Sequence, residues 1–223
     1  MNQVYDSRVP YDKSAAIWSP DGELVQLSYA RKASERGAAA VGMILDSKTI
    51  LLAGETLFDP LVVRPDKIQE IDQNLYAVAS GLSTDSNLLI GQSRLVAQQH
   101  RLIYGEKISV RALASRLGDL MARHTIQGGL RPFGTALILA GFSPVDKEAQ
   151  LFFVDNGGSF FAVNAYAAGS GNERVIDALR KQYKTGLEVE EAKKLVLEIL
   201  TSALGKKEPL TEKEVEIYIL TAE

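Results

Sequence analysis

Residues 19–30 have the sequence SPDGELVQLSYA, in which a turn motif leads directly into a helical pattern. The Pro and Gly of SPDG occupy the second and fourth positions, as is typical of a type I turn. Apolar residues then recur every three positions, at Leu24, Leu27 and Ala30, which indicates one face of a helix. We therefore predict a tight turn followed by a helix that ends near Gly37.

Beyond this helix, the hydrophobic pattern changes to short apolar runs and paired helices. We predict strands at 38–45, 49–53, 68–71, 75–79, 135–140, 150–155, 159–165 and 215–220, and helices at 84–101, 110–121, 173–183 and 189–204. A βαβ fold would alternate single strands and helices, whereas helix pairs between strand groups favour antiparallel sheets with helices on their outer faces. The predicted fold class is α+β: a four-layer αββα sandwich with an additional N-terminal helix.

Composition excludes several classes of protein. The chain has 223 residues with 25 Lys+Arg, 28 Asp+Glu and no cysteine, so disulfide scaffolds, thiolate metal sites and thiol nucleophiles are ruled out. A formal charge of −3 does not favour nucleic-acid binding, which needs a clustered basic face. The sequence contains no apolar run of the ~18 residues that a membrane span requires, and residues 1–10 lack the apolar core of a signal peptide. We expect a cytoplasmic protein with a single domain over 1–223, in which the sandwich occupies 38–223.

Motifs that would carry catalytic chemistry are scarce. The two histidines, His100 and His124, fall on predicted helices without the spacing of metal ligands. Gly169-Ser170-Gly171 lacks the Lys and Ser/Thr of a phosphate-binding loop, and a tight turn with Asn172 as the N-cap of the next helix is the simpler interpretation. The residues by themselves therefore predict no catalytic centre, no metal site and no cofactor.

Residues 11–12 and 19–30 together resemble the N-terminal signature of proteasome α-type subunits, which begins with a Tyr-Asp pair and continues as FSPDG and LQVEYA. Further stretches are similar to the same family in register: 66–68 (DKI for EKI), 80–82 (SGL), 128–134 (GGLRPFG for GGVRPYG) and 169–171 (GSG). The resemblance extends from Tyr11 to about Leu220 and is most specific in the first block and in 128–134.

This resemblance implies the αββα fold of N-terminal-nucleophile hydrolases, in agreement with the predicted element order. It also implies an archaeal-like, non-catalytic α subunit of a 20S proteasome. Such subunits form heptameric rings that cap the catalytic β rings, gate the passage of unfolded polypeptides and receive the C-terminal tails of ATPase activators. The implied partners are copies of this chain or other α chains, β subunits and an activator ring, with no membrane and no nucleic acid.

The resemblance also implies that the peptidase centre is missing. Catalytic β subunits use a free N-terminal Thr, activated by its own amine and by a nearby Lys. Ala38 takes the place of that Thr and has no hydroxyl group. Lys67 matches the catalytic Lys and Ser170 an accessory Ser, but neither has a nucleophile to activate.

Several residues match positions with ring, gate or docking roles in the family. The segment 24–36 resembles the helix that packs between α subunits, with Leu24 and Leu27 as candidate ring contacts; packing within the chain is an equal alternative. A gate cluster is implied at Tyr11, Asp12, Pro20 and Tyr29, with residues 1–10 as a gate-like tail; a terminus without a role is the alternative.

The residue implied for partner binding is Lys67, which would pair with the terminal carboxylate of an activator tail in a pocket between two subunits that Gly81 and Leu82 also line. A solvated lysine is the alternative. Arg131 and Phe133 fall in a loop that the resemblance places near the contact between α and β rings, with a purely structural turn as the alternative.

Departures from the family pattern leave other functions open. Lys13 replaces the usual Arg, Ser28 the usual Glu and Glu55 the common Asp, and we expect the additional C-terminal helix of many α subunits to be absent or very short. Two alternatives therefore remain: an N-terminal-nucleophile hydrolase that is processed before a nucleophile, and a diverged binding module outside a standard core particle.

Overall fold

The computed structural model describes residues 14–56, 61 and 66–222, so the predicted tail at 1–10 lies outside the described residues. Its helices are α1 (Val25–Glu35), α2 (Ser83–Tyr104), α3 (Val110–Ile126), α4 (Asn172–Gln182) and α5 (Val189–Ala203). Its strands are β1 (Ala40–Asp46), β2 (Thr49–Glu55), β3 (Ile68–Asp72), β4 (Leu75–Gly81), β5 (Thr135–Phe142), β6 (Ala149–Val154), β7 (Phe160–Ala162), β8 (Ala165–Ala168) and β9 (Val215–Thr221). The predicted order of elements is therefore confirmed, with one strand divided in two.

The strands form two antiparallel sheets. One sheet has four strands in the order β8-β1-β2-β9, and the other has five in the order β3-β4-β5-β6-β7. Each sheet contains hairpins between strands that are consecutive in the chain, such as β1 with β2 and β3 with β4. Longer connections bring β8 and β9 to the two edges of the four-stranded sheet.

Alternating side chains bury both faces of the central strands. In β1, Val41 and Met43 face a core formed with α4 and α5, while Ala40 faces a second core between the sheets. In β5, Ile138 faces the core between the sheets, and Leu139 faces a third core under α2 and α3. Three stacked cores require four layers, so the predicted αββα sandwich is confirmed. In the part of the chain that is described, no helix is both long and apolar enough to cross a membrane.

The additional helix α1 is held to the sandwich through a buried amide. Asn156, which is 2% exposed, accepts a hydrogen bond from Ser34 Oγ at 2.9 Å. Its Nδ2 donates to the carbonyl oxygens of Phe133 at 2.7 Å and Thr135 at 3.1 Å. The amide therefore links α1 to the start of β5 and fixes the segment that precedes residue 38.

The single strand predicted at 159–165 is wrong, because the chain changes sheets within it. Strand β7 pairs with β6, whereas β8 pairs with β1 in the other sheet. Between them, the amide of Val163 donates to Leu151 on β6, and the carbonyl of Asn164 accepts from Ile44 on β1. The hydrophobic pattern is continuous where the chain passes from one sheet to the other. It therefore does not indicate which sheet contains the strand that pairs with each segment.

The N-terminus of α4 also differs from the prediction. Asn172 is the first residue of the helix, and Gly171 is the N-cap, with a positive φ of 72°. The Asn172 carboxamide accepts only from the adjacent amide of Glu173 at 2.8 Å, so it does not cap the helix from outside. A left-handed N-cap favours glycine, and the polar residue is therefore displaced by one position.

Candidate functional site

A pocket of about 330 Å³ opens where the end of β2 meets the start of β3 and of α2. Polar and charged residues form most of its lining: Glu55, Thr56, Asp66, Lys67, Gln69, Ser83, Ser86 and Asn87. Small residues bring backbone to its surface at Ala38, Ala79 and Gly81. The pocket therefore combines one ammonium group with hydroxyl, amide and carboxylate groups.

Lys67 is half-buried in this pocket, and its surroundings contain carboxylates from two strands. Its backbone amide donates to Glu216 Oε2 at 2.7 Å, which ties the start of β3 to β9. Desolvation by burial lowers the pKa of Lys67 to about 8, although the negative charges of Glu55 and Glu216 act in the opposite direction. The side chain is thus mainly protonated at neutral pH and close to the point of losing its proton.

Ala38 lies beside this lysine, just before β1. Its carbonyl oxygen accepts hydrogen bonds from Lys67 Nζ at 3.2 Å and from Ser80 Oγ at 2.8 Å. The preceding carbonyl, that of Gly37, accepts from the amide of Ser170 at 2.8 Å. The structure thus brings Ala38, Lys67 and Ser170 to the same end of the sandwich, although Ser170 does not line the pocket.

Gly81 and Leu82 join β4 to α2 at the rim of the pocket. Gly81 has a φ of +132°, and a Cβ atom at this position would overlap the carbonyl oxygen of Gly134. The amide of Leu82 donates to that same oxygen at 2.9 Å. Gly81 lines the pocket, whereas Leu82 is not part of its lining and leaves 46% of its surface exposed. Only glycine fits at position 81, because both the φ and the backbone contact exclude a side chain.

The predicted turn at 19–22 is present. The amide of Gly22 donates to the carbonyl of Ser19 at 2.9 Å, and Ser19 Oγ accepts from the amide of Glu23 at 3.1 Å. Pro20 lies at the exposed tip of this turn, and Tyr29 is 39% exposed on α1. Tyr11 and Asp12 lie outside the described residues, so the gate cluster stays a prediction.

Comparisons with known proteins match both the sandwich and the segment before it. A family model described as "Proteasome subunit" matches residues 34–220, and a second model, described as the N-terminal signature of the A-type proteasome subunits, matches residues 11–33. A proteasome subunit alpha of Pyrococcus horikoshii is 37% identical over 214 residues, which cover 95% of this chain and 80% of the relative. The chain belongs to the proteasome α-subunit family.

Relatives from other archaea support the same assignment. A proteasome subunit alpha of Methanocaldococcus jannaschii is 37% identical over 95% of this chain and 80% of its own length. The corresponding subunit of Archaeoglobus fulgidus is 35% identical over 93% of this chain and 83% of its own length. Proteasome α subunits belong to the 20S core particle and are in general non-catalytic.

The buried face of helix α1 matches the predicted one only in part. Val25, Ala30 and Ser34 are buried against the sandwich, whereas Leu24 and Leu27 are only half-buried. Ala30 is buried as the three-residue repeat predicts, and Leu27 lies against the turn at Gly157, where an added Cβ would be 3.2 Å from its side chain. Leu24 and Leu27 keep part of their surface in the single chain, and their contact with a neighbouring subunit stays a prediction.

The loop that contains Arg131 and Phe133 is held within the subunit. Both terminal guanidinium nitrogens of Arg131 bind the buried carboxylate of Asp85, at 2.7 and 2.8 Å, and the Gly134 amide donates to the same carboxylate at 2.8 Å. Arg131 lowers the pKa of Asp85 through this hydrogen bonding. Phe133 is 4% exposed in the core under α2 and α3 and stacks on His124, with ring centroids 4.4 Å apart. Its side chain therefore serves the subunit's own core, and a contact of this loop with a β subunit stays a prediction.

Sequence reasoning missed three residues that shape the site: Asp85, Asn156 and Glu216. Their partners lie 46, 122 and 149 positions away in the chain. Asp85 lies in a polar run and Asn156 in a turn sequence, where polar residues are ordinary, so the sequence gives no signal that either is buried. In the described part of the chain, no group of acidic and histidine side chains could hold a metal ion.

Proposed function

We propose that this chain is a non-catalytic subunit of the outer α ring of a 20S proteasome. The ring, made of copies of this chain or of several α chains, would cap β-subunit rings and control the passage of unfolded polypeptides. It would also receive the C-terminal tails of an ATPase activator in the Lys67 pocket. A cytoplasmic location forms part of the proposal.

One observation carries the docking role: the Lys67 ammonium projects into a pocket of about 330 Å³, where its acceptor is the backbone carbonyl of Ala38 at 3.2 Å. A carboxylate is a stronger partner for an ammonium than a neutral carbonyl, because the two opposite charges also attract each other. The terminal carboxylate of a tail would therefore replace Ala38 as the acceptor. Gly81 lets backbone approach the same cavity without a side chain.

The geometry around Ala38 supports the non-catalytic role. A nucleophile of this type needs a hydroxyl group and a free α-amine beside a lysine. Ala38 has neither, because its side chain is a methyl group and a peptide bond joins it to Gly37. The preceding helix is anchored by the bond between Ser34 and Asn156, so the segment before Ala38 belongs to the folded structure.

The gating role rests on the family resemblance and on the exposed turn. Pro20 is exposed at the tip of a hydrogen-bonded turn, and Tyr29 is exposed on the helix that follows. Both would be available to Tyr11 and Asp12 of the same chain or of a neighbour. In this arrangement, residues 1–10 would form the gate.

The docking role is tested with Lys67→Ala in particles assembled with β subunits and an ATPase activator. We expect the variant to lose activator-stimulated hydrolysis of a folded substrate, because a methyl group cannot bind the tail carboxylate. Lys184→Ala, which changes an exposed lysine outside the pocket, is the matched control and should retain stimulation. Unchanged stimulation of the Lys67→Ala particle would refute the docking role.

Ring formation and the absence of processing are tested on the unmodified chain. Negative-stain images should show sevenfold rings, either of the chain alone or with β subunits, whereas a monomer at every concentration would contradict the proposal. Intact-mass measurement should show residues 1–37 still attached to Ala38. A chain that begins at a new Thr or Ser would instead indicate a processed hydrolase.

A further inference from the structure

The charges that a single subunit brings to the Lys67 pocket are unbalanced. Among its described lining residues, Lys67 is the one cation, while Glu55 and Asp66 are both anions. Glu216 adds a further negative charge next to Lys67, since its carboxylate accepts from the Lys67 amide at 2.7 Å. A ligand that brought only a carboxylate would therefore add a negative charge beside a set of side chains that already has more carboxylates than ammonium groups.

Two of these carboxylates already have partners within the subunit. Glu55 accepts from the amide of Ala39 at 3.3 Å and lies 4.0 Å from Lys206 Nζ. Glu216 is held by the backbone of Lys67. Both carboxylates are therefore held by bonds within the subunit, and Glu216 lies outside the pocket lining.

Asp66 is in a different position. Asp66 is exposed and lines the pocket directly next to Lys67. Its backbone carbonyl accepts a hydrogen bond from the side-chain amide of Gln69 at 2.6 Å. Within the described ranges, no hydrogen bond or ion pair involves the Asp66 carboxylate. The pocket thus presents an ammonium and a carboxylate side by side.

We propose that Asp66 is a specificity-determining residue that selects tails with a Lys or Arg close to the terminal carboxylate. Lys67 binds the carboxylate of such a tail, and Asp66 binds its cationic side chain, so that the ligand adds no net charge to the pocket. This inference rests on the proposed docking function and adds to it the chemistry of the partner.

The test uses short synthetic peptides that differ at one position near the C-terminus, where they carry Lys, Gln or Glu, and a Lys peptide with an amidated C-terminus. Binding to assembled particles is measured by fluorescence anisotropy. Because the pair is partly exposed, we expect the Lys peptide to bind about two- to fivefold more tightly than the Gln peptide, and the Glu peptide to bind more weakly than both. Added salt should reduce these differences.

The variant Asp66→Asn should make the Lys and Gln peptides equal in affinity while both still bind. Asp119→Asn, which changes an exposed carboxylate on α3 outside the pocket, should keep the preference. Equal affinities for all three peptides in the unmodified particle, or a preference that survives Asp66→Asn, would overturn the role of Asp66. Failure of every free-acid peptide to bind, or equal binding of the amidated peptide, would overturn the docking function and the inference with it.

Discussion

The aliphatic part of Lys67 passes directly over Gly54, where a Cβ atom would overlap Lys67 Cγ and lie 3.3 Å from Lys67 Cε. The glycine of β2 therefore provides the space in which the lysine side chain reaches the pocket. The clash would fall near the base of the side chain, where a rotation of the ammonium end alone cannot relieve it.

Gly54→Ala is expected to displace the Lys67 ammonium and weaken activator docking without removing any charge. Losing a well-placed hydrogen bond to a charged group corresponds to about 1.5–3 kcal/mol, so the activator concentration for half-maximal stimulation should rise about tenfold or more. The control is Gly91→Ala on α2, where an added Cβ would contact nothing within 4 Å. An unchanged activator dependence in the Gly54 variant would show that the lysine does not need this path.

Docking is expected to depend on pH because burial lowers the pKa of Lys67 to about 8. Below that pH the side chain is an ammonium that binds a carboxylate, and above it the amine is neutral. Affinity for a free-acid peptide should therefore fall as the pH rises from 7 through about 8 to 9. Peptide titrations by fluorescence anisotropy would measure the fall.

Lys67→Arg is the control for this pH dependence, because a guanidinium stays charged throughout the range. Particles that contain Lys67→Arg should bind the free-acid peptide with constant affinity between pH 7 and 9, even if that affinity differs from the affinity of the unmodified particle. If the unmodified particle also binds with constant affinity across pH 8, then Lys67 is not the group that receives the carboxylate.

Asp85→Asn is expected to destabilise the fold by about 2 kcal/mol, because the buried carboxylate accepts two bonds from Arg131 and one from the Gly134 amide. Urea unfolding would measure the change in free energy. The matched control is Asp177→Asn, whose pair with Arg180 is exposed on both sides and should contribute less than about 0.5 kcal/mol. Equal effects of the two substitutions would contradict a special role for Asp85.

The stabilisation that the Asp85–Arg131 pair provides depends on pH. Arg131 lowers the pKa of Asp85 in the folded state, so the unfolded state takes up a proton first as the solution is acidified. The contribution of Asp85 to stability is therefore complete above the ordinary Asp pKa of 3.8 and is lost as the pH falls through the lowered, folded-state pKa. The stability difference between the unmodified chain and Asp85→Asn should shrink correspondingly in acid.

Asn156→Ala is expected to loosen α1, because it removes the donor to the carbonyls of Phe133 and Thr135 and the link from Ser34 Oγ to the sandwich, although Ser34 Oγ keeps the Arg31 carbonyl as an acceptor. Leaving such groups without partners costs about 1–3 kcal/mol. Hydrogen exchange of the amides in 25–35 should accelerate more than exchange in the strands. Asn172→Ala, which removes only a bond to the adjacent Glu173 amide, is the control and should leave α1 unchanged.

The layered fold followed from local patterns in the sequence. The apolar runs at 38–45 and 135–140 predicted strands that are buried on both faces. This prediction needs only local sequence, because the alternation of side chains is a property of the strand itself. The prediction failed at 159–165, where β7 and β8 belong to different sheets. A strand's partner depends on the path of the whole chain, so no local pattern could have located the change between Val163 and Asn164.

The candidate site was predictable only in part. Family-like motifs identified Ala38, Lys67 and Gly81, and the structure brings these three together at one pocket. The motifs did not indicate that Arg131 is bound to Asp85 or that Phe133 is buried within its own subunit. The bond partners of these side chains come from distant segments, and the sequence contains no spacing rule for them.

The sequence by itself determined the fold class, the absence of a hydroxyl at position 38 and the presence of a lysine at position 67, because these follow from residue identity and local periodicity. The tertiary structure decided what that lysine can do. Folding buries it over Gly54, places Glu55 and Glu216 near it and leaves Asp66 exposed at its side. Desolvation and Coulomb interactions depend on distance in space and not on separation along the chain, so the charge of the pocket exists only in the folded subunit.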